Sequence, residues 1–184
     1  MNKINEIFYS LQGEGFFTGK PAVFVRFSGC NLHCHFCDTQ HDTYTEMTDE
    51  EILSAIKDYP TRFVVLTGGE PTLQVSSHLI DLLHSLDFFV AIETNGTIIP
   101  PANVDWITLS PKKGGKLAYT KANELKVVFE QDEVEHFLTE IKAEHYFLQP
   151  CSNKNIQETV QYILSHPLWR LSIQTHKFLN IQYL

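Results

Sequence analysis

The chain has 184 residues, 43% of them hydrophobic, enough for one domain with a substantial core. Its 14 basic and 22 acidic residues leave a formal charge of -8, which argues against direct nucleic-acid binding and for a small-molecule partner. Met1 to Glu6 lacks an apolar stretch of signal-peptide length, and no apolar run approaches the ~20 residues of a bilayer span, so the expectation is a cytoplasmic protein without membrane contact.

Apolar runs and helix-like patterns alternate along most of the chain. A strand is expected over Ala22 to Ser28, followed by a cysteine-bearing loop. A helix over Thr48 to Asp58 opens on the N-cap signature T-D-E-E. A strand over Phe63 to Thr67, a helix over Val75 to Leu86, and strands over Phe89 to Thr94 and Trp106 to Leu109 come next; the connection from Asn95 to Asp105 is too short to hold a helix. Then come a strand over Leu125 to Phe129, a helix over Asp132 to Lys142, a strand over Tyr146 to Gln149, a helix over Asn155 to Ser165 and a strand over Leu171 to Gln174. Such alternation implies a parallel sheet, and the helices are too few for eight full units. The expectation is an α/β fold, a partial open parallel barrel with shortened helical cover, over residues 1–184 as one core domain. Chemistry in such sheets gathers at the carboxyl ends of the strands, where each motif below is expected to lie.

Cys30, Cys34 and Cys37 form C-x3-C-x2-C in one short loop after an apolar run, with Gly29 just ahead. Three thiolates from one loop suit three corners of a four-iron four-sulfur cluster, leaving the fourth iron open to a ligand. A zinc site with a distant histidine is the alternative, although zinc motifs usually pair two short clips and a second is missing here. Cys151 stands apart and reads as a buried, inert thiol.

A second motif, Thr67-Gly68-Gly69-Glu70-Pro71, follows a strand. Its glycines let backbone pass close to a ligand, and Glu70 offers a carboxylate to a ligand ammonium. An ordinary strand-to-helix turn with Pro71 starting the helix is the competing reading.

Taken together, the cysteine loop and the G-G-E-P turn resemble the radical S-adenosylmethionine superfamily. Within it, the 7-carboxy-7-deazaguanine synthase family is similar nearly end to end. The similarity is carried by Leu11-Gln12-Gly13-Glu14-Gly15, Cys37-Asp38-Thr39, Ile92-Glu93-Thr94-Asn95-Gly96, Ser110-Pro111-Lys112, Gln149-Pro150 and Gln174-Thr175-His176-Lys177. The resemblance implies a lyase that contracts the ring of 6-carboxy-5,6,7,8-tetrahydropterin, with loss of ammonia, on the route to queuosine and other 7-deazapurines. It implies a 4Fe-4S cluster whose open iron chelates S-adenosylmethionine, Mg²⁺, an electron donor such as flavodoxin, and a homodimer. Two other readings remain: a glycyl-radical activating enzyme would share the cysteine loop and G-G-E turn but lack L-Q-G-E-G and Q-T-H-K, and a metal-binding module would need neither.

Residue by residue, the resemblance makes Cys30, Cys34 and Cys37 the cluster ligands and gives Thr39 an oxygen for Mg²⁺. Phe36, Cys37, Asp38, Gly69, Glu70, Ser110, Pro111 and Lys112 line the S-adenosylmethionine site. Leu11, Gln12, Gly13, Glu14, Arg26, Thr67, Glu93 and His176 contact the pterin, with Arg26, Glu93 and His176 the candidate catalytic residues. The family's terminal carboxylate also meets substrate; the corresponding group here is Leu184, on a tail that runs slightly longer than the family's common end.

Strand alternation supplies an independent check. Arg26 shares a face with Ala22, Phe24 and Ser28, while Val23, Val25 and Phe27 take the other. An arginine there wants an anion, either the substrate carboxylate or an internal partner, Glu14 or Glu93. Glu93 shares a face with Phe89 and Ala91, and its carboxylate can accept two hydrogen bonds from a pterin's amino-pyrimidinone edge. His176 would share a strand face with Ser172 and Gln174, as a pocket residue or as a capped terminal histidine. Lys126 either reaches the site or pairs with a neighbouring acid. Trp106 and Trp169 read as core.

Overall fold

Strands form from the apolar runs: β1 (Asn2–Leu11), β2 (Pro21–Phe27), β3 (Thr45–Met47), β4 (Phe63–Gly68), β5 (Phe89–Thr94), β6 (Trp106–Leu109), β7 (Lys121–Val128), β8 (Lys142–Gln149) and β9 (Arg170–Leu171). The helices are α1 (Asp49–Ile56), α2 (Ser77–His84), α3 (Val134–Glu140), α4 (Ile156–Ser165) and α5 (Thr175–Leu179). This computed structural model describes residues 1–37, 39, 43–129, 134–179 and 181.

The described strands join in one sheet in the order β3-β1-β2-β4-β5-β6-β7-β8-β9. From β2 to β9 every pairing is parallel, while β1 runs antiparallel to β2 and β3 antiparallel to β1. The sheet curves without closing, as the alternation of elements predicts.

Side-chain alternation sets the layers. Val23, Val25 and Phe27 of β2, with Val64, Leu66, Val90 and Ile92, face outward and pack on Ile52 and Ile56 of α1 and Leu79, Ile80 and Leu83 of α2. A second outer cluster joins Leu125, Val127 and Leu148 to Val134 and Phe137 of α3, with Trp169 buried among them. Ala22, Phe24, Phe63, Val65, Ala91 and Trp106 face inward and line the lower half of the barrel.

Local signals place the helices. The Thr48 side chain accepts from the Glu51 N–H at 3.2 Å, and the Glu51 carboxylate accepts from the Thr48 N–H at 2.7 Å, closing a capping box at α1. Ser76 caps α2 by accepting from the Leu79 N–H.

Four details depart from the sequence reading. β1 was not expected, because a bulge between Ile4 and Glu6 breaks the two-residue period that announces a strand. β7 and β8 begin four residues earlier than expected, with rungs such as Lys121 opposite Lys142 whose polar residues give no apolar signal. β9 ends at Leu171, and His176 belongs to α5 instead of a strand face. The cause is a competing set of hydrogen bonds: the Thr175 N–H and hydroxyl both donate to the Gly13 carbonyl at 3.0 Å, and Gln174 donates to Glu14 at 2.8 Å.

The fourth departure concerns L-Q-G-E-G. Since β1 runs against β2, Leu11 sits beside Pro21 and the loop leaves the sheet at the amino ends of the parallel strands, opposite the cysteine loop. The Gln12 N–H donates to Lys20 and the Gly19 N–H donates back to Gln12, at 2.8 and 2.7 Å, closing the loop on itself. Its tip enters the barrel from below. The Phe16 ring stacks on Trp106 at 4.9 Å and His145 at 4.4 Å, and Phe17 meets Phe63 at 4.8 Å.

Candidate active site

A cavity of about 1300 Å³ occupies the upper barrel, larger than an ordinary single-ligand pocket. The cysteine loop frames one side and the ascending Gln12-Gly13-Glu14 segment the other.

The upper rim is held by the G-G-E-P turn. β4 ends on Gly68 at φ +123, a conformation that L side chains rarely adopt. The Gly69 N–H then donates to the Phe27 carbonyl at 3.0 Å and the Glu70 N–H to the Gly29 carbonyl at 2.9 Å. A Cβ on Gly69 would collide with that Gly29 carbonyl, so glycine is what lets the turn seat against the start of the cysteine loop. Glu70 departs from its expected role. It is fully buried, and its carboxylate accepts from the Thr72 N–H (3.1 Å), the Thr72 hydroxyl (2.5 Å), the Thr94 hydroxyl (2.8 Å) and the Asn95 N–H (2.7 Å). Those bonds consume its acceptor capacity, so it braces the rim instead of receiving a ligand ammonium. Asn95 passes the brace onward, donating to the Asn31 side chain at 3.0 Å.

Cys30, Cys34 and Cys37, none of them in a disulfide, lie on the wall of the same cavity. The Leu32 N–H points at the Cys30 sulfur at 3.5 Å, and the Cys37 N–H closes the loop on the Cys34 carbonyl at 3.1 Å. Among the described residues no three His, Cys, Asp or Glu side chains converge on a single ion position. Three cysteines on one short loop at the mouth of a cavity fit a four-iron cluster, in which each would hold a different iron. Phe36, Thr39, Gly69, Ser110 and Lys112 share the wall, whereas Pro111 is buried behind it. Lys112 donates to the Ser110 carbonyl at 2.8 Å and hydroxyl at 2.6 Å. Burial first, and then repulsion from Lys126, pushes its ammonium below the usual lysine range. Asp38 lies outside the described residues.

Deeper in, the expected pterin residues do come together. Arg26 of β2 stands opposite Thr67 of β4, and the Thr67 hydroxyl donates to Glu93 of β5 at 3.1 Å. Gln12 donates to the other Glu93 oxygen at 3.1 Å, while its own side-chain carbonyl accepts from the Glu14 N–H at 3.2 Å. Among the described residues Arg26 pairs with neither Glu14 nor Glu93; its Nε donates to Glu6 on the adjacent β1 at 2.6 Å. His176 packs its ring directly on Gly13. Leu11 lines the same cavity, and Leu184 lies outside the described residues.

Sequence reasoning missed or misplaced several wall residues. Lys126 does both things weighed for it, reaching the cavity and pairing with acids, at 2.6 Å from Glu14 and 3.4 Å from Glu93. Burial alone would raise the Glu14 pKa; attraction to Lys126 and hydrogen bonds from Lys126 and Gln174 outweigh it and hold the carboxyl at about 2. Burial alone would lower Lys126; Glu14, Glu93 and Glu124 reverse the sign and raise it. Gln174 also accepts from Lys177 at 2.6 Å, a link that the Q-T-H-K segment signalled only as a pattern. Cys151 is half-buried on the cavity wall, beside Ser152 at φ +48, and not hidden in the core.

Comparison with known proteins agrees with this geometry. The Radical SAM superfamily matches residues 24–130. A 7-carboxy-7-deazaguanine synthase from Bacteroides thetaiotaomicron is 56% identical, with 99% of this chain and 100% of that protein covered. The chain belongs to the 7-carboxy-7-deazaguanine synthase family. Another member, from Caulobacter vibrioides, is 44% identical over 97% of this chain and 98% of its own length. The crystal structure of QueE from Escherichia coli superposes with a TM-score of 0.81 at 32% identity, covering 94% of this chain and 93% of that one. As a radical S-adenosylmethionine enzyme, the chain is of a class that works with a 4Fe-4S cluster and S-adenosylmethionine, and the three-cysteine rim fits that cofactor pair. Among the described residues no helix is long and apolar enough to cross a membrane.

Proposed function

We propose that this enzyme contracts 6-carboxy-5,6,7,8-tetrahydropterin to 7-carboxy-7-deazaguanine with loss of ammonia, supplying queuosine biosynthesis. The observation that carries the reading is one cavity with two differently equipped ends: a three-thiol rim, and an interior where Gln12, Thr67 and Lys126 surround the Glu93 carboxylate.

When bound, the cluster supplies the electron that cleaves S-adenosylmethionine and so provides the 5'-deoxyadenosyl radical. The chain's own work is to position and to exclude solvent. Cys30, Cys34 and Cys37 would hold the cluster; Phe36, Gly69, Ser110 and Lys112 line the S-adenosylmethionine end. Glu93 and Glu14 accept from the N–H groups of the pterin's amino-pyrimidinone edge. Arg26 meets the substrate carboxylate in the bidentate geometry guanidinium favours. His176 closes the interior above Gly13. Thr39 would offer a hard oxygen to Mg²⁺, which would help neutralise the substrate carboxylate. Because the ring gives up a hydrogen atom, loses ammonia and then regains a hydrogen atom, an interior closed by Phe16 and Phe17 from below would protect the radical from quenching in between.

The reading includes a flavodoxin-type electron donor, a cytoplasmic location and a homodimer. Exposed Leu164, Leu168 and Leu171 near the open β9 edge support the last.

Anaerobically reconstituted protein given reductant, S-adenosylmethionine, Mg²⁺ and the carboxypterin is expected to release 7-carboxy-7-deazaguanine and ammonia. Cleavage of S-adenosylmethionine with the pterin left intact would overturn the substrate assignment. Thr39→Ala should raise the Mg²⁺ concentration needed for half-maximal turnover; an unchanged requirement would remove Thr39 from the metal site.

A further inference from the structure

We propose that Lys126 is a positioning residue for the ring contraction: its ammonium stands between Glu14 and Glu93, the two acids of the pterin end, and fixes them relative to one another. The inference rests on the substrate contacts proposed above for those two carboxylates.

The argument begins with cost. Lys126 sits on β7, in the middle of a parallel sheet, with its side chain only 6% exposed. A buried ion pair is weak evidence for stability, since apolar side chains of similar volume replacing the whole pair usually pack as well or better. The surroundings of Lys126 give the reason for its presence. Nζ stands 2.6 Å from Glu14, which arrives on the loop from below, and 3.4 Å from Glu93, which belongs to β5. Buried Glu124, two residues back on the same strand face, adds a third negative group while its own carboxylate accepts from the Phe16 N–H at 3.2 Å. Without a cation, three acids crowding one low-dielectric space would repel one another and move apart or take up protons. Hydrogen-bond acceptors for a pterin edge must be held still. Lys126 holds both carboxylates in place. It also ties the loop segment to the sheet, so that an element entering from one end of the barrel keeps register with strands leaving at the other.

The test compares holoenzyme variants Lys126→Met, Lys126→Arg, Glu14→Gln and the double variant Lys126→Met/Glu14→Gln, reading pterin KM, iron per chain, Tm and the ratio of 5'-deoxyadenosine to product. Lys126→Met is expected to keep its iron and raise the pterin KM by about 30-fold or more, the scale of a buried pair broken on one side. It should also form 5'-deoxyadenosine in excess of product, because a loosely held pterin is missed by the radical. Lys126→Arg should recover most of the KM. The double variant should be no worse than the weaker single variant, because the two residues act as one unit. A lowered Tm with wild-type KM and coupling would make Lys126 merely structural and overturn the proposal, as would effects that multiply in the double variant. Should Lys126→Met fail to fold, Lys126→Gln is read against the same outcomes. Wild-type KM in Glu14→Gln would instead sink the substrate contact assigned to Glu14.

Discussion

The imidazole of His176 occupies the space that any side chain at position 13 would need. The two residues are 163 positions apart in sequence, yet the Thr175 N–H and hydroxyl also grip the Gly13 carbonyl, so the end of the chain locks the ascending loop in place. Gly13→Ala should therefore displace His176 or lower the loop, an overpacking cost of about 1–3 kcal/mol. The expected outcome is a pterin KM raised by roughly tenfold or more, with iron content unchanged. Equal KM in the variant would show that the loop tolerates the extra methyl.

Arg26 and the cysteines should separate cleanly. Arg26→Ala is expected to keep its cluster and lose about 1.5–3 kcal/mol of pterin binding, the worth of a charged hydrogen-bonded contact. Cys34→Ala should lose iron and all turnover together. Iron analysis beside steady-state kinetics checks both; matched iron loss would move Arg26 from the substrate to the scaffold.

Glu70 offers a test of bracing against ligand binding. Glu70→Gln keeps one carbonyl oxygen for four donors and presents an N–H₂ group to the rest, so stability should fall by about 1–3 kcal/mol. Thermal denaturation reads this directly. An unaltered Tm with weakened S-adenosylmethionine binding would restore the ammonium-binding role.

Acid should weaken the fold through Glu14. Its carboxyl is depressed in the folded chain from an ordinary 4.5 to about 2, so its contribution is complete above 4.5 and is lost as the pH falls from 4.5 toward 2. Tm followed across that interval should drop more steeply in the wild type than in Glu14→Gln. Parallel curves would place the acid-sensitive contact elsewhere.

Much of this was legible in the sequence because the informative residues are local. The C-x3-C-x2-C spacing, the T-D-E-E cap and the alternation in P-A-V-F-V-R-F each act within a few positions; the structure realises the cap and the alternation and puts the three cysteines on the wall of one cavity. What escaped was long-range pairing. Glu6 as the Arg26 partner depends on β1, whose bulge hides its period; Lys126 and Gln174 converge on Glu14 from positions 112 and 160 residues away. Glu70 misled for a related reason: the side chain has the right charge for an amine, but Thr72, Thr94 and Asn95 claim it first.

The reversed course of β1 has a consequence for how such an enzyme can change. The cysteines enter from one mouth of the barrel, while the residues proposed above to cradle the substrate enter largely from the other, on a loop whose tip is anchored on Trp106 and His145. On that proposal, alterations in residues 12–17 remodel which heterocycle is accepted and leave the cysteine mouth untouched, as though a common engine were fitted with an exchangeable bed.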